Sequence, residues 1–121
     1  MALVLSGKGL TVESVSHVAR HGGTIQISDD AWQRIKTCRE YMENKLSQGL
    51  VMYGVNTGIG ELAEVVLTPE ETIDFQTHLI HSHSAGVGEP LPIEVVRAAL
   101  ISRVNVHCNG NSGLRPTIVE R

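Results

Sequence analysis

Apolar positions along the chain recur mostly at three- and four-residue steps, which is the spacing of one face of a helix. Val12, Val15, Val18 and Ala19 form the first such stripe. Thr11 ahead of it, with Glu13 early, gives the signature of a helix start, and Gly22-Gly23 that of its end. Thr24-Ile25-Gln26-Ile27 alternates and is β-branched, so it predicts a short strand. Ser28-Asp29-Asp30 caps a second helix whose stripe is Trp32, Ile35, Cys38, Met42 and Leu46, and Gly49 stops it. Arg34, Lys36, Arg39, Glu40, Glu43 and Lys45 fill its other side and read as a solvated face.

Thr68-Pro69-Glu70-Glu71 is the clearest start in the chain. Thr68 can accept from the Glu71 N–H while Glu71 reaches back, and Pro69 at the first helical position loses no hydrogen bond. That helix is predicted to run to about His83, where Gly86, Gly88, Pro90 and Pro92 interrupt it. From Ile93 to about Asn109 apolar residues cover most of the helical circumference, so this helix is expected to be buried among partners. Gly110 and Gly113 break it, and Pro116 opens a last helix cut off at Arg121. The expectation is a mainly α chain in one domain, 1–121, with a short arm at 1–10 that has room for a strand and helical structure over 11–121.

Composition narrows the class. The chain has 121 residues, enough for one modest core, and an apolar content of 41% that argues against disorder. Aromatics make up only 3%, so the core must be aliphatic. The net charge of −3 gives no basic footprint for nucleic acid. No apolar run approaches the ~18 residues of a membrane span, and the first residues lack the pattern of a secretory signal. Cys38 and Cys108 are distant in sequence and read as reduced thiols of a cytoplasmic protein.

Three glycine-rich segments stand between the periodic stretches: Tyr53-Gly54-Val55-Asn56-Thr57-Gly58-Ile59-Gly60, Ser82-His83-Ser84-Ala85-Gly86-Val87-Gly88-Glu89-Pro90, and Gly110-Asn111-Ser112-Gly113-Leu114-Arg115-Pro116. Glycine lets other groups approach the backbone, and Asn or Thr side chains can hold an irregular loop in shape. From residue types alone, the first segment reads first as an ordinary surface turn with a packed tyrosine. His78, His81 and His83 raise the question of a metal. On a helix His83 lies about 140° round from His78 at roughly 100° per residue, and no carboxylate or thiol completes the set, so no metal site is expected.

In these segments the chain resembles the N-terminal part of the histidine and aromatic amino-acid ammonia-lyase family, which makes its own methylidene-imidazolone electrophile. The resemblance runs from about Leu10 to Arg121. Ile59 departs from the family pattern, which has an aromatic residue there. The resemblance implies that Tyr53 is the base that takes the β-proton of the amino-acid substrate. A phenol needs a donor-rich setting for that task, and glycine-loop N–H groups or a helix N-terminus can supply it. Ser82-His83 matches the histidine-type pattern, with His83 binding the substrate side chain; the alternative is a histidine favoured at a helix C-terminus. Asn56, Thr57, Gly58 and Gly60 are implied to shape the loop over the substrate. Arg115 reads equally as a structural or a substrate residue.

The family cyclises Ala-Ser-Gly into its electrophile, and no Ala-Ser-Gly occurs here. Ser84-Ala85-Gly86 has the wrong order, and Asn111-Ser112-Gly113 lacks the alanine. No cofactor is therefore expected from this chain; methylidene-imidazolone is expected in a missing part, and the isolated chain is expected to be inactive. The implied reaction is histidine to urocanate and ammonia. An aromatic ammonia-lyase or 2,3-aminomutase part, or a non-catalytic module docking on a lyase chain, remains the alternative. Implied partners are the amino-acid substrate and either further copies or a complementary lyase chain.

Overall fold

The computed structural model describes residues 2–121 and places them in two compact units. The first takes the chain up to Met42 and again from Pro90 to Arg121; the second is Glu43–Glu89. The elements in order are β1 (Leu3–Leu5), α1 (Val12–His21), β2 (Ile25–Ile27), α2 (Asp29–Ser47), a 3-10 turn (Gly60–Leu62), α3 (Pro69–His83), α4 (Ile93–His107) and α5 (Pro116–Glu120). The expected mainly helical fold with a short N-terminal β element is what forms, and helix boundaries fall within a few residues of the capping signals.

Those signals act as their chemistry suggests. The Thr11 hydroxyl accepts from the Ser14 N–H at 3.2 Å, and the Ser14 hydroxyl accepts from the Thr11 N–H at 3.1 Å. Gly22, at φ 69°, closes α1 in the left-handed conformation. Ser28 caps α2 by accepting from the Ala31 N–H at 3.3 Å.

In the first unit β1 and β2 pair in parallel, with Leu3 opposite Ile25 and Leu5 opposite Ile27. The arm is thus a strand of the core. Leu5 is fully buried with Val18, Ala19, Ala31, Ile101 and Cys108. Helix α1 packs along α4. Two polar ties fasten the arm: the Gly7 N–H donates to Asn105 Oδ1 at 2.9 Å, and Arg34 donates to the carbonyls of Ser6 at 2.7 Å and Cys108 at 3.1 Å. Arg39 donates to the Gly113 carbonyl at 3.1 Å. The face of α2 expected to be solvated therefore holds two arginines that bind backbone carbonyls of distant segments.

Helix α4 differs from its expectation. Only Ile101 and Asn105 are buried, while Ile93, Val95, Val96, Leu100 and Val106 remain exposed. Its apolar circumference has no cover on most sides within this chain. The second unit has a thinner interior. Thr57 and Gly58 are its only buried residues, and α3 offers just Thr72, Phe75 and Leu79 as a half-buried stripe.

Candidate active site

The candidate residues of the first two glycine-rich motifs, from Tyr53 to Gly60 and at Ser82 and His83, lie in the second unit, whereas Arg115 of the third lies in the first. The loop begins with a turn over Met52–Val55, closed by the Val55 N–H donating to the Met52 carbonyl at 3.1 Å. Tyr53 and Gly54 are its corners, and Gly54 at φ 68° takes the position that a side chain would strain. The two backbone N–H groups flanking Tyr53 are each taken by a side chain further along. Met52 N–H donates to Asn56 Oδ1 at 2.7 Å, and Gly54 N–H to Thr57 Oγ1 at 3.0 Å. Asn56 also donates to the Leu50 carbonyl at 3.0 Å, and Thr57 to the Gly58 carbonyl at 2.8 Å.

Behind this brace the loop is zipped to residues 65–67. Gly58 N–H donates to Val65 O at 3.0 Å and Leu67 N–H to Asn56 O at 2.9 Å, around an antiparallel bridge from Thr57 to Val66. Gly58 is packed so closely on the 3-10 turn that a Cβ there would come within 2.5 Å of the Leu62 carbonyl oxygen. Gly60, at φ 59°, opens that turn. The net effect is a loop rigid at its base with Tyr53 at its tip, 69% exposed, while Thr57 is 2% exposed.

Ser82 and His83 end α3. His83 Nδ1 lies 2.9 Å from the Leu79 carbonyl and 3.0 Å from Ser82 Oγ. A carbonyl only accepts, so that contact requires the proton on Nδ1 and leaves Nε2 of the neutral ring as a free acceptor. Among the described residues no hydrogen bond joins Tyr53 to His83. None brings three or more His, Cys, Asp or Glu side chains together as a metal centre. Sequence reasoning missed Leu62, against which Gly58 must fit, because nothing local marks it.

The aromatic amino acid lyase family model matches residues 10–121, nearly the whole chain. The chain belongs to that family. It is 40% identical over 116 residues to a histidine ammonia-lyase of Treponema denticola, covering 96% of this chain and 23% of that protein. Among solved structures it is similar to the histidine ammonia-lyase of Trypanosoma cruzi, with 38% identity, a TM-score of 0.90 and coverage of 99% of this chain and 23% of that one. A tyrosine aminomutase of Streptomyces globisporus is similar at 33% identity and a TM-score of 0.92, again over 99% and 23%. The chain thus spans about a quarter of the length of the lyases it matches.

The family's electrophile does not fit the residues of this chain. The serine of Ser84-Ala85-Gly86 caps α3, donating to the Ile80 carbonyl at 2.7 Å. The serine of Asn111-Ser112-Gly113 pairs with His107 Nδ1 at 3.0 Å, and its glycine is packed on Met42. Neither tripeptide offers the Ala-Ser-Gly order from which the group is built.

Proposed function

We propose that this chain supplies the tyrosine-bearing loop and the side-chain recognition helix of an amino-acid ammonia-lyase that converts histidine to urocanate and ammonia. The observation that carries the reading is the brace around Tyr53. Asn56 and Thr57 bind the N–H groups on either side of it, which fixes the turn and presents the phenol outward. A base must be held within hydrogen-bond reach of the proton it takes, and a fixed turn supplies that at little entropic cost. Tyr53 takes the β-proton of the substrate. His83, with Nδ1 engaged by Leu79 and Ser82, accepts through Nε2 from an N–H of the substrate imidazole. Gly58 and Gly60 keep the loop narrow enough to lie over the substrate.

In this reading the electrophile is supplied by polypeptide outside residues 1–121. The exposed apolar faces of α4 suit burial against further lyase polypeptide or against other copies of the chain. The two free thiols, Cys38 and Cys108, suit the reducing cytoplasm. A second reading, part of a 2,3-aminomutase, is favoured by the likeness to the tyrosine aminomutase; Ser82-His83 favours histidine.

The test mixes the 121-residue chain with a complementary lyase polypeptide carrying Ala-Ser-Gly and follows urocanate by ultraviolet absorbance. The chain alone gives none, and the mixture gives turnover. Tyr53→Phe lowers kcat by about 10²–10⁴-fold, the usual contribution of a positioned acid or base. His83→Leu weakens histidine against aromatic substrates by roughly 5–150-fold, corresponding to about 1–3 kcal/mol for a substrate N–H left unpaired. Turnover by the lone chain, full activity of the Tyr53→Phe mixture, or a β-amino acid as the main product would each overturn the reading.

A further inference from the structure

The sheet of the first unit ends in an open strand edge. In its parallel pair the Leu3 N–H donates to the Thr24 carbonyl at 2.9 Å and the Ser28 N–H to the Leu5 carbonyl at 3.0 Å. With Leu3 opposite Ile25 and Leu5 opposite Ile27, these bonds fix which way each backbone group points. Thr24, Gln26 and Ser28 turn their ladder groups toward β1. Ile25 and Ile27 turn both N–H and C=O away from it, and among the described residues no hydrogen bond occupies those four groups. The opposite edge is partly closed, because the Ser6 carbonyl, just beyond β1, accepts from Arg34 at 2.7 Å.

Exposed edges commonly carry a charge or a proline that discourages pairing. Residues 23–28, Gly-Thr-Ile-Gln-Ile-Ser, hold neither. On the core-facing side of the sheet Ile25 borders an apolar groove of about 510 Å³ whose wall includes Val18, Leu100 and Ile118. Ile25, Leu100 and Ile118 are all exposed. A strand added to β2 therefore completes the ladder and roofs that groove at once.

The edge is complementary to itself. Ile25 and Ile27 lie symmetrically about Gln26, so a two-fold axis at Gln26 sets Ile25 of each copy opposite Ile27 of the other. Both are hydrogen-bonded pairs of an antiparallel ladder, and together they supply four N–H···O bonds. Thr24 falls opposite Ser28, and Gln26 opposite Gln26, where the side-chain amides can pair across the axis. No like charges meet. We propose that β2 is a self-pairing edge: two copies of this chain join β2 to β2, antiparallel about Gln26, into one continuous four-stranded sheet. A strand of three residues pairs weakly by itself. Covering Leu100 and Ile118 of each copy at the seam supplies the apolar burial that the ladder lacks.

Amide exchange of the 121-residue chain, followed by NMR over a range of concentrations, tests the register. The Gln26 N–H, which faces β1, should be protected throughout. Those of Ile25 and Ile27 should become protected as concentration rises, and that of Val4, on the other edge, should not follow. Sedimentation reads the dimer itself. Ile25→Pro removes an outward N–H and leaves the ladder to β1 whole. With two of the four bonds gone, the dissociation constant should rise roughly 5–150-fold. Gln26→Lys and Gln26→Glu should each weaken the dimer by about 1.5–5-fold, and an equimolar mixture of the two should restore it. Circular dichroism checks that each variant keeps its helices. A chain that stays monomeric, or a dimer whose Ile25 and Ile27 amides remain unprotected, overturns the proposal. So do charge variants that associate alike whether separate or mixed, and protection that appears only when a complementary lyase polypeptide is added.

Discussion

Thr57 is a small residue with a large share of the loop's order. Its hydroxyl accepts from the Gly54 N–H and donates to the Gly58 carbonyl, and the residue is almost wholly enclosed. Thr57→Val keeps the shape and deletes both bonds. The expected cost is about 1–3 kcal/mol, because the buried Gly58 carbonyl and the partly buried Gly54 N–H lose their partner; chemical denaturation of the chain measures it. His107 gives a pH prediction. Its pKa is lowered by desolvation and then by the neighbouring charge of Arg103. The folded chain therefore resists protonation that the unfolded chain accepts. Stability is full above the ordinary imidazole value and declines as pH falls through and below it. His107→Gln should flatten the decline in denaturation midpoint between neutrality and mild acid. Candidate residues were legible where a motif was long. The sequence marked Tyr53, Asn56 and Thr57, but not that Asn56 and Thr57 grip the N–H groups on either side of Tyr53. Hydrogen bonds of that kind depend on the path of the turn, which no spacing rule encodes.

At the level of elements, starts and stops were the most readable features because capping is local chemistry. The reciprocal bonds of Thr68 and Glu71, at 3.2 and 2.8 Å, are those that the Thr-Pro-Glu-Glu run predicts. Helix α3 has no buried residue to anchor it within its unit. Its cap therefore carries an unusual share of its stability. Thr68→Ala should cost about 0.5–2 kcal/mol, seen as a loss of helical circular dichroism and faster amide exchange over residues 69–75, with the first unit unaffected. The arm before α1 was harder to read. Leu3-Val4-Leu5 is too short for periodicity to separate strand from coil, and its partner Ile25–Ile27 lies a whole helix away. The two arginine contacts of α2 escaped notice for a related reason: Arg34 and Arg39 look like any solvated cations until the segments holding Ser6, Cys108 and Gly113 are brought to them.

For the whole molecule, the informative mismatch is α4. Its sequence describes a helix enclosed on nearly all sides, and this chain covers only the side bearing Ile101 and Asn105. Contiguous apolar surface on an isolated chain commonly marks an interface. Sedimentation of the 121-residue chain should show self-association that grows with concentration. Leu100→Glu, placed on the exposed side, should shift it toward monomer without unfolding it. A monomer at all concentrations would remove the argument for burial against further polypeptide.

The tie between Gly7 and Asn105 spans 98 positions of the chain. A ribosome making this protein releases the β1 arm long before the segment that anchors it. Leu5 stays without its neighbours Ile101 and Cys108 while about a hundred residues are added. The loop closure itself grows only slowly with length, so the delay is one of synthesis more than of equilibrium. Residues 43–89, whose contacts are mostly among themselves, can organise while the rest is still being translated. The birth order of the two units is then the reverse of the order in which their first residues appear, and the nascent arm is a stretch with reason to meet a chaperone.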